Sequence, residues 1–188
     1  MKRFADCLAE RETILESLQP CAGAVDDTVA AIVAAIKRGG RIYFFGNGGS
    51  AAQAQHLAAE LSGRFLRERP PWGALALTVD SSALTAIAND YGFENVFARQ
   101  LDGLVKQGDV AIGLTTSGAS ANVVNGLRAA RAKGATTVAI ASTKGGPAAE
   151  AADVAVLCPN GPSWKTQEAH LAIGHIICEL VELAVVEP

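Results

Sequence analysis

The chain has 188 residues, of which 49% are hydrophobic and 19% charged, and its formal net charge is −3 at pH 7. This composition suits one globular domain with a full core and excludes a disordered chain. The small negative charge, without a stripe of Lys or Arg, argues against a nucleic-acid partner. We expect no membrane span and no signal peptide, because charges interrupt the apolar segments, and we therefore predict a cytoplasmic protein.

The four cysteines lack the spacing of a metal site. They are Cys7, Cys21, Cys158 and Cys178, and no pair forms a CxxC or CxxH motif. We interpret them as reduced core residues of a cytosolic protein, and a structural zinc site is the less favoured alternative.

Two helices are predicted before the first strand. Apolar residues recur at helical spacing over residues 3–18, and Pro20 cannot continue that helix. Residues 25–37 form a second amphipathic helix. We predict a single domain over residues 1–188, in which residues 1–38 are a helical extension packed on the remainder.

After the second helix, the spacing of apolar residues changes. Short apolar runs indicate five strands, and the segments that separate most of them indicate helices. The predicted strands are 42–46, 74–79, 110–116, 137–142 and 153–158, and the predicted helices are 50–62, 83–88, 93–106, 120–133 and 164–186. Continuous apolar strands alternating with helices predict an α/β fold, a three-layer, doubly wound (flavodoxin-like) five-stranded parallel sheet with a long C-terminal helix. That last helix has a wide apolar face, which packs either within the chain or against another subunit.

A glycine turn in "FFGNGGSAAQ" joins the first strand to an alanine-rich helix. Gly46, Gly48 and Ala51 satisfy the dinucleotide fingerprint G-x-G-x-x-G/A, but the acidic residue is missing at the expected spacing, since Asp80 comes more than thirty residues later. With Ser50 as the predicted N-cap, the turn exposes backbone N–H groups and a helix dipole to an anion or a sugar hydroxyl. The alternative is a tight turn that needs glycine only for positive φ.

A second turn, "TTSGAS" at residues 115–120, follows the third strand. Its four hydroxyl groups belong to Thr115, Thr116, Ser117 and Ser120. With the N–H groups of the next helix they suit a phosphate monoester, although Ser and Thr are also ordinary N-cap residues. Because open α/β sheets bind ligands at the carboxyl ends of their strands, the two turns together predict a sugar-phosphate site.

A polar row follows the glycine turn along the next helix. Gln53, His56 and Glu60 have the spacing i, i+3, i+7, which places them on one face. Such a row alternatively faces water. Beside a sugar-phosphate pocket, a carboxylate and an imidazole can move a proton between adjacent carbons of a carbonyl sugar, or bind a divalent metal.

The last helix carries two histidines, and spacing does not choose between them. At 100° per residue, His170 and His175 lie on opposite sides of Gln167. Glu179 and Glu182 share a stripe with His175, and that stripe alternatively faces water.

Four motifs together resemble a known family. In order and along nearly the whole chain, "GNGGSAAQAQHLAAELSGRF", "LTAIANDYGFENVFARQL", "TTSGASANV" and "QEAHLAIGH" resemble the SIS-domain phosphoheptose isomerases. The resemblance implies that the enzyme converts sedoheptulose 7-phosphate to D-glycero-D-manno-heptose 7-phosphate through an enediol. It also implies a cytoplasmic homotetramer with pockets at subunit interfaces and one zinc ion per subunit.

The resemblance also assigns residues. It implies Glu60 as the base and His175 as the acid, and it selects His175 over His170, which geometry did not. The implied metal ligands are His56, Glu60, Gln167 and His175. The implied substrate contacts are Asn47, Gly48, Gly49, Glu60, Asn89, Asp90, Thr115, Thr116, Ser117, Ser120 and Gln167.

Some positions depart from the family pattern, and other functions compete. Ala119 stands where the family has Asn, and "SWKT" precedes Gln167 where the family has Arg-Ile. The alternative functions are a non-catalytic SIS paralogue that binds a replication-initiator protein, an isomerase of another ketose phosphate, and a sugar-phosphate sensor. Asp90 is alternatively the cap of the following helix, and Arg64 is not assigned to the site.

Overall fold

The structure is a computed structural model that describes residues 3–186; residues 1, 2, 187 and 188 of the predicted domain lie outside the described residues. Two helices precede the sheet, α1 (Phe4–Glu16) and α2 (Ala22–Lys37), joined by a 3₁₀ turn. The remaining elements are β1 (Ile42–Gly46), α3 (Gly49–Ser62), β2 (Ala74–Ala76), α4 (Ser81–Tyr91), α5 (Ala98–Leu104), β3 (Val110–Thr115), α6 (Ala121–Ala132), β4 (Thr136–Ser142), α7 (Gly146–Ala151), β5 (Val154–Cys158) and α8 (Ser163–Val186).

The five strands form one parallel sheet in the order β2-β1-β3-β4-β5. The predicted fold class is therefore confirmed. The strand order reverses between β1 and β3, where Gly46 lies opposite Leu114 in register. Because α3 and α6 leave these strands toward opposite faces of the sheet, a crevice opens at their carboxyl ends.

Each face of the sheet packs against its own layer of helices. Ile42 and Phe44 of β1 point to the layer of α2, α3 and α8, whereas Tyr43 and Phe45 point to the layer of α5, α6 and α7. All of β1 and β3 is buried. Burial on both faces explains why these strands read as continuous apolar runs in the sequence.

Several boundaries differ from the predicted ones. Strand β2 ends at Ala76 instead of residue 79, because the chain turns into α4, whose first turn is capped by the Asp80 carboxylate accepting from Ala83 N at 2.9 Å. The predicted helix 93–106 is a 3₁₀ turn at Phe93–Asn95 followed by the shorter α5. Helix α7 was not predicted, since its six residues are too few to show a period.

Two stretches of the described chain, one of them α8, are long and apolar. Helix α8 contains an 18-residue window with a mean hydropathy of 1.8, and Phe4–Lys37 contains one of 1.2, so both stretches pass the length and composition test for a membrane span. The first stretch is two helices, and 44% of the α8 window is buried. Buried helices of globular proteins pass the same test.

The cysteines are all free. Cys21, Cys158 and Cys178 are buried in the core, as predicted, whereas Cys7 is only half-buried.

Candidate active site

The glycine turn is built by close approach of backbone and side chains. A Cβ at Gly46 would lie 2.7 Å from the Leu114 carbonyl oxygen, and one at Gly49 would lie 2.5 Å from Gln167 Nε2. Within this turn, a positive φ explains the need for glycine only at Gly48, which has φ +55° and is the N-cap of α3. The prediction that Ser50 is the N-cap is therefore wrong; Ser50 is buried in the first turn of α3.

The glycine turn is tied to α6 across the crevice. The side-chain amides of Asn47 and Asn122 exchange two hydrogen bonds, each 2.8 Å long. Asn122 is buried and was missed by the sequence analysis, because an Asn early in a helix carries no signal for such a pairing. This pair fixes the predicted sugar-binding residue Asn47 beside the hydroxyl-rich turn.

The hydroxyl-rich turn leaves the amino end of α6 open. Thr115 Oγ1 lies 3.2 Å from Ser120 Oγ and 3.5 Å from Ser117 Oγ, and Ser117 Oγ accepts from Ala119 N at 3.2 Å. Ser120 occupies the N-cap position but makes no capping hydrogen bond. Among the hydrogen bonds described for residues 3–186, none uses the N–H of Ala121, so the helix start can donate to an anion.

Gly118 allows this turn to pack against the loop after β4. Its φ is +69°, Ala148 N donates to its carbonyl at 2.9 Å, and a Cβ there would collide with the Gly145 carbonyl oxygen. We expect Gly118→Ala to lower the free energy of unfolding by about 2–4 kcal/mol, from a strained φ plus the collision, as measured by urea denaturation. Gly103→Ala is the matched control, because a Cβ at Gly103 meets nothing within 4 Å and the residue lies in α5. Equal stability of the two variants would contradict this role of Gly118.

Three titratable side chains from α3 and α8 converge beyond the glycine turn. His56 Nε2 lies 2.8 Å from His175 Nε2 and 3.3 Å from Glu60 Oε1, and all three ligand atoms lie within 4.8 Å of one another. His56 and Glu60 are one helical turn apart on α3, and His175 reaches them from α8. The ring of Phe65 stacks on His175 with centroids 5.6 Å apart. We call His56, Glu60 and His175 the triad.

The surroundings of His175 lower its pKa and so favour the neutral imidazole. Burial lowers the pKa of His175, the adjacent His56 ring lowers it further, and the Glu60 carboxylate opposes both effects. Two imidazole nitrogens at 2.8 Å require one donor and one acceptor, so only one of these two nitrogens carries a proton.

The triad fits a divalent metal. Zinc bonds to imidazole nitrogen and carboxylate oxygen are about 2.0–2.2 Å long, so two ligands at a tetrahedral angle lie about 3.3 Å apart. The two short distances at His56, 2.8 and 3.3 Å, differ from this by at most about half an ångström. Two histidines and one glutamate are a donor set found in catalytic zinc sites, in which the fourth position stays open.

Gln167 lies on α8, about two helical turns before His175. Its amide contacts Gly49, two helical turns of α3 before His56, and its carbonyl accepts from Gln53 Nε2 at 2.5 Å. Its position suits a contact with a ligand at the glycine turn.

Asn89 and Asp90 lie on the exposed last turn of α4. Their side chains bond to each other at 2.8 Å, and no hydrogen bond described for residues 3–186 joins either side chain to the glycine turn or the triad. Asp90 is within α4, so its interpretation as the cap of the following helix is wrong; Gly92 is the N-cap there.

His170 is a core residue in this chain. It is fully buried against the sheet, and within the described part of the chain neither of its ring nitrogens has a hydrogen-bond partner. Burial lowers its pKa from 6.5 to about 4, and the nearby Ala141 carbonyl opposes the shift without reaching hydrogen-bond geometry.

This histidine makes stability depend on pH. Between pH 6.5 and 4 the unfolded chain binds a proton at His170 that the folded chain excludes, so stability is full above pH 6.5 and falls with decreasing pH. We expect a loss of about 3 kcal/mol between pH 7 and 4, measured by urea unfolding, that is absent in His170→Asn. Parallel pH profiles of the two proteins would refute this.

Comparison with known proteins agrees with this fold. The chain is a SIS-domain protein: the family described as SIS domain matches residues 8–142. A phosphoheptose isomerase of Aquifex aeolicus (strain VF5) is 52% identical over 161 residues, covering 86% of this chain and 84% of its own length. One from Rhodospirillum rubrum is 46% identical and covers 88% of each chain. The structure of phosphoheptose isomerase GmhA from Neisseria gonorrhoeae matches with a TM-score of 0.88 at 35% identity, over 95% of this chain and 96% of that one.

The chain therefore belongs to the phosphoheptose isomerase family of SIS-domain proteins, as its motifs indicated. It is an enzyme, an aldose–ketose isomerase that acts on a sugar phosphate.

Proposed function

We propose that this enzyme converts sedoheptulose 7-phosphate to D-glycero-D-manno-heptose 7-phosphate through an enediol. The observation that carries the proposal is the convergence of His56, Glu60 and His175 within one chain. Acid–base chemistry on a carbonyl sugar needs a carboxylate and an imidazole that meet at one place. The competing function, a non-catalytic paralogue that binds a replication initiator, has no use for this arrangement.

The phosphate binds in the hydroxyl-rich turn. Thr115, Thr116, Ser117 and Ser120 surround the open amino end of α6, where hydroxyl and backbone N–H groups replace a cationic side chain. Asn47, Gly48 and Gly49 then contact the sugar, with the Gln167 amide beside them.

Glu60 and His175 exchange protons with the two reacting carbons. The Glu60 carboxylate takes a proton from C1, and His175 donates one to the carbonyl oxygen at C2, which forms the enediol. His175 then takes the proton from the oxygen at C1 while Glu60 returns its proton to C2, which completes the aldose and restores both side chains. A neutral imidazole can serve as this acid, in agreement with the lowered pKa of His175.

A zinc ion, one per subunit, is part of the proposal. His56, Glu60 and His175 would hold it, with Gln167 as a fourth ligand by resemblance only; Glu60 and His175 act as base and acid when they are released from the metal. When bound, the metal polarises the carbonyl and stabilises the negative charge that develops on oxygen.

We further propose a cytoplasmic homotetramer whose pockets lie at subunit interfaces. Leu15, Ile176 and Leu180 line an apolar groove between the amino-terminal helices and α8, and Leu15 and Ile176 are exposed. Asn89 and Asp90 are exposed in the single chain, which fits a substrate contact completed by a neighbouring subunit.

The test is incubation of the purified protein with sedoheptulose 7-phosphate, followed by NMR for an aldose signal. We expect an aldose phosphate of seven carbons to accumulate to equilibrium. Conversion of another ketose phosphate, but not of this one, would overturn the substrate assignment while leaving the isomerase class intact.

A further inference from the structure

A fully buried ion pair lies beneath the triad. Arg69 Nε donates to Glu182 Oε1 at 2.9 Å, and the two side chains are 2% and 0% exposed. One interpretation of the sequence was that Glu182 faces water; the structure shows that it is fully buried. The pair lies on α8 two helical turns after His175 and on the loop that follows α3.

Glu182 binds the backbone of that loop. Its carboxylate accepts from three successive N–H groups, those of Phe65 at 2.9 Å, Leu66 at 2.8 Å and Arg67 at 3.0 Å. Burial raises the pKa of the Glu182 carboxyl, but these donors and Arg69 outweigh it, so the pKa is lowered and the group is charged. The four donors fully occupy the carboxylate.

Arg69 binds the carboxyl end of α3. Its guanidinium donates to four carbonyl groups, those of Glu60 at 2.8 Å, Leu61 at 3.0 Å, Gly63 at 3.2 Å and Pro70 at 3.2 Å. The last carbonyls of a helix have no partner within the helix, and Arg69 supplies one. It also stacks on Trp72 at 3.6 Å.

The ion pair therefore touches both helices of the triad, one through the Glu60 carbonyl and the other through Glu182 itself. It also fixes the backbone of Phe65, whose ring stacks on His175. We propose that Arg69 and Glu182 are positioning residues that set the distance between Glu60 and His175 through the loop at residues 63–69.

A role in stability alone explains the arrangement less well. A buried ion pair often contributes no more than apolar residues of similar volume. Here every donor and acceptor goes to α3, α8 or the connecting loop, so the pair specifies one geometry of these elements. This inference rests on the proposed function in one respect only, the assignment of the triad to proton transfer and metal binding.

The test uses two variants and two measurements. Arg69→Lys keeps the charge but not the fork of donors, and Phe65→Leu removes only the ring on His175. We expect each folded variant to show kcat lowered by about 10- to 100-fold with KM within about twofold, because the phosphate turn is not touched. We also expect Zn²⁺ affinity, measured by competition with a chromophoric chelator, to fall by about 10- to 100-fold.

The matched control is Arg131→Lys, which alters an exposed ion pair of the same 2.9 Å length to Asp153. It should leave both quantities unchanged. Wild-type kcat and Zn²⁺ affinity in Phe65→Leu, or in a folded Arg69→Lys, would overturn the proposal. Because metal affinity needs no substrate, the result stands even if sedoheptulose 7-phosphate proves to be the wrong sugar.

Discussion

Glu60→Gln should reduce kcat by at least about a hundredfold while the protein stays folded and binds the sugar phosphate normally. The amide keeps the size of the side chain but cannot accept the proton from C1. The side chain of Glu60 is 21% exposed and its Oε1 lies 3.3 Å from His56 Nε2, so the substitution changes chemistry more than packing.

The measurement is steady-state kinetics with sedoheptulose 7-phosphate, together with substrate binding by calorimetry. Gln55→Ala, an exposed change on the same helix, is the control and should keep kcat. A Glu60→Gln enzyme with near-normal turnover would remove this residue from the role of base.

His56→Ala should lower zinc affinity by at least about a hundredfold. Loss of a residue that only orients a ligand costs 10- to 100-fold, and loss of a direct ligand should cost no less. The chain has three histidines, so His170→Asn is a matched control that removes a histidine outside the triad.

Elemental analysis of protein purified without chelator and competition with a chelator measure this directly. We expect about one zinc per chain in the wild type and in His170→Asn, and a strong loss in His56→Ala. Absence of zinc from the wild type, with activity that survives chelation, would reduce His56 to a packing role.

The sheet was predictable because its strands β1, β3 and β4 are almost entirely buried. A continuous apolar sequence such as "IYFFG" then indicates where a buried strand lies without any tertiary information. The end of β2 was not predictable in this way, since Leu77 to Val79 are as apolar as a strand but turn toward the cap at Asp80. The start of α4 decided that boundary.

The site was likewise predictable in part, where local spacing decides the arrangement, and unpredictable where tertiary packing does. The spacing of His56 and Glu60 placed them on one face of a helix, but no local pattern could bring His175 to them, and only the resemblance selected it over His170. The structure brings His175 there through the packing of α8 on α3. Glu182 could not be separated from Glu179 by periodicity, although one is buried and the other exposed.

The most direct measurement is a crystal structure of Glu60→Gln with sedoheptulose 7-phosphate bound. We predict the phosphate group among the hydroxyls of residues 115–120, and C1 and C2 within about 3.5 Å of the side chains of residue 60 and His175. A sugar whose C1 and C2 lie away from both side chains, in every subunit of the assembly, would contradict the assignment of this site.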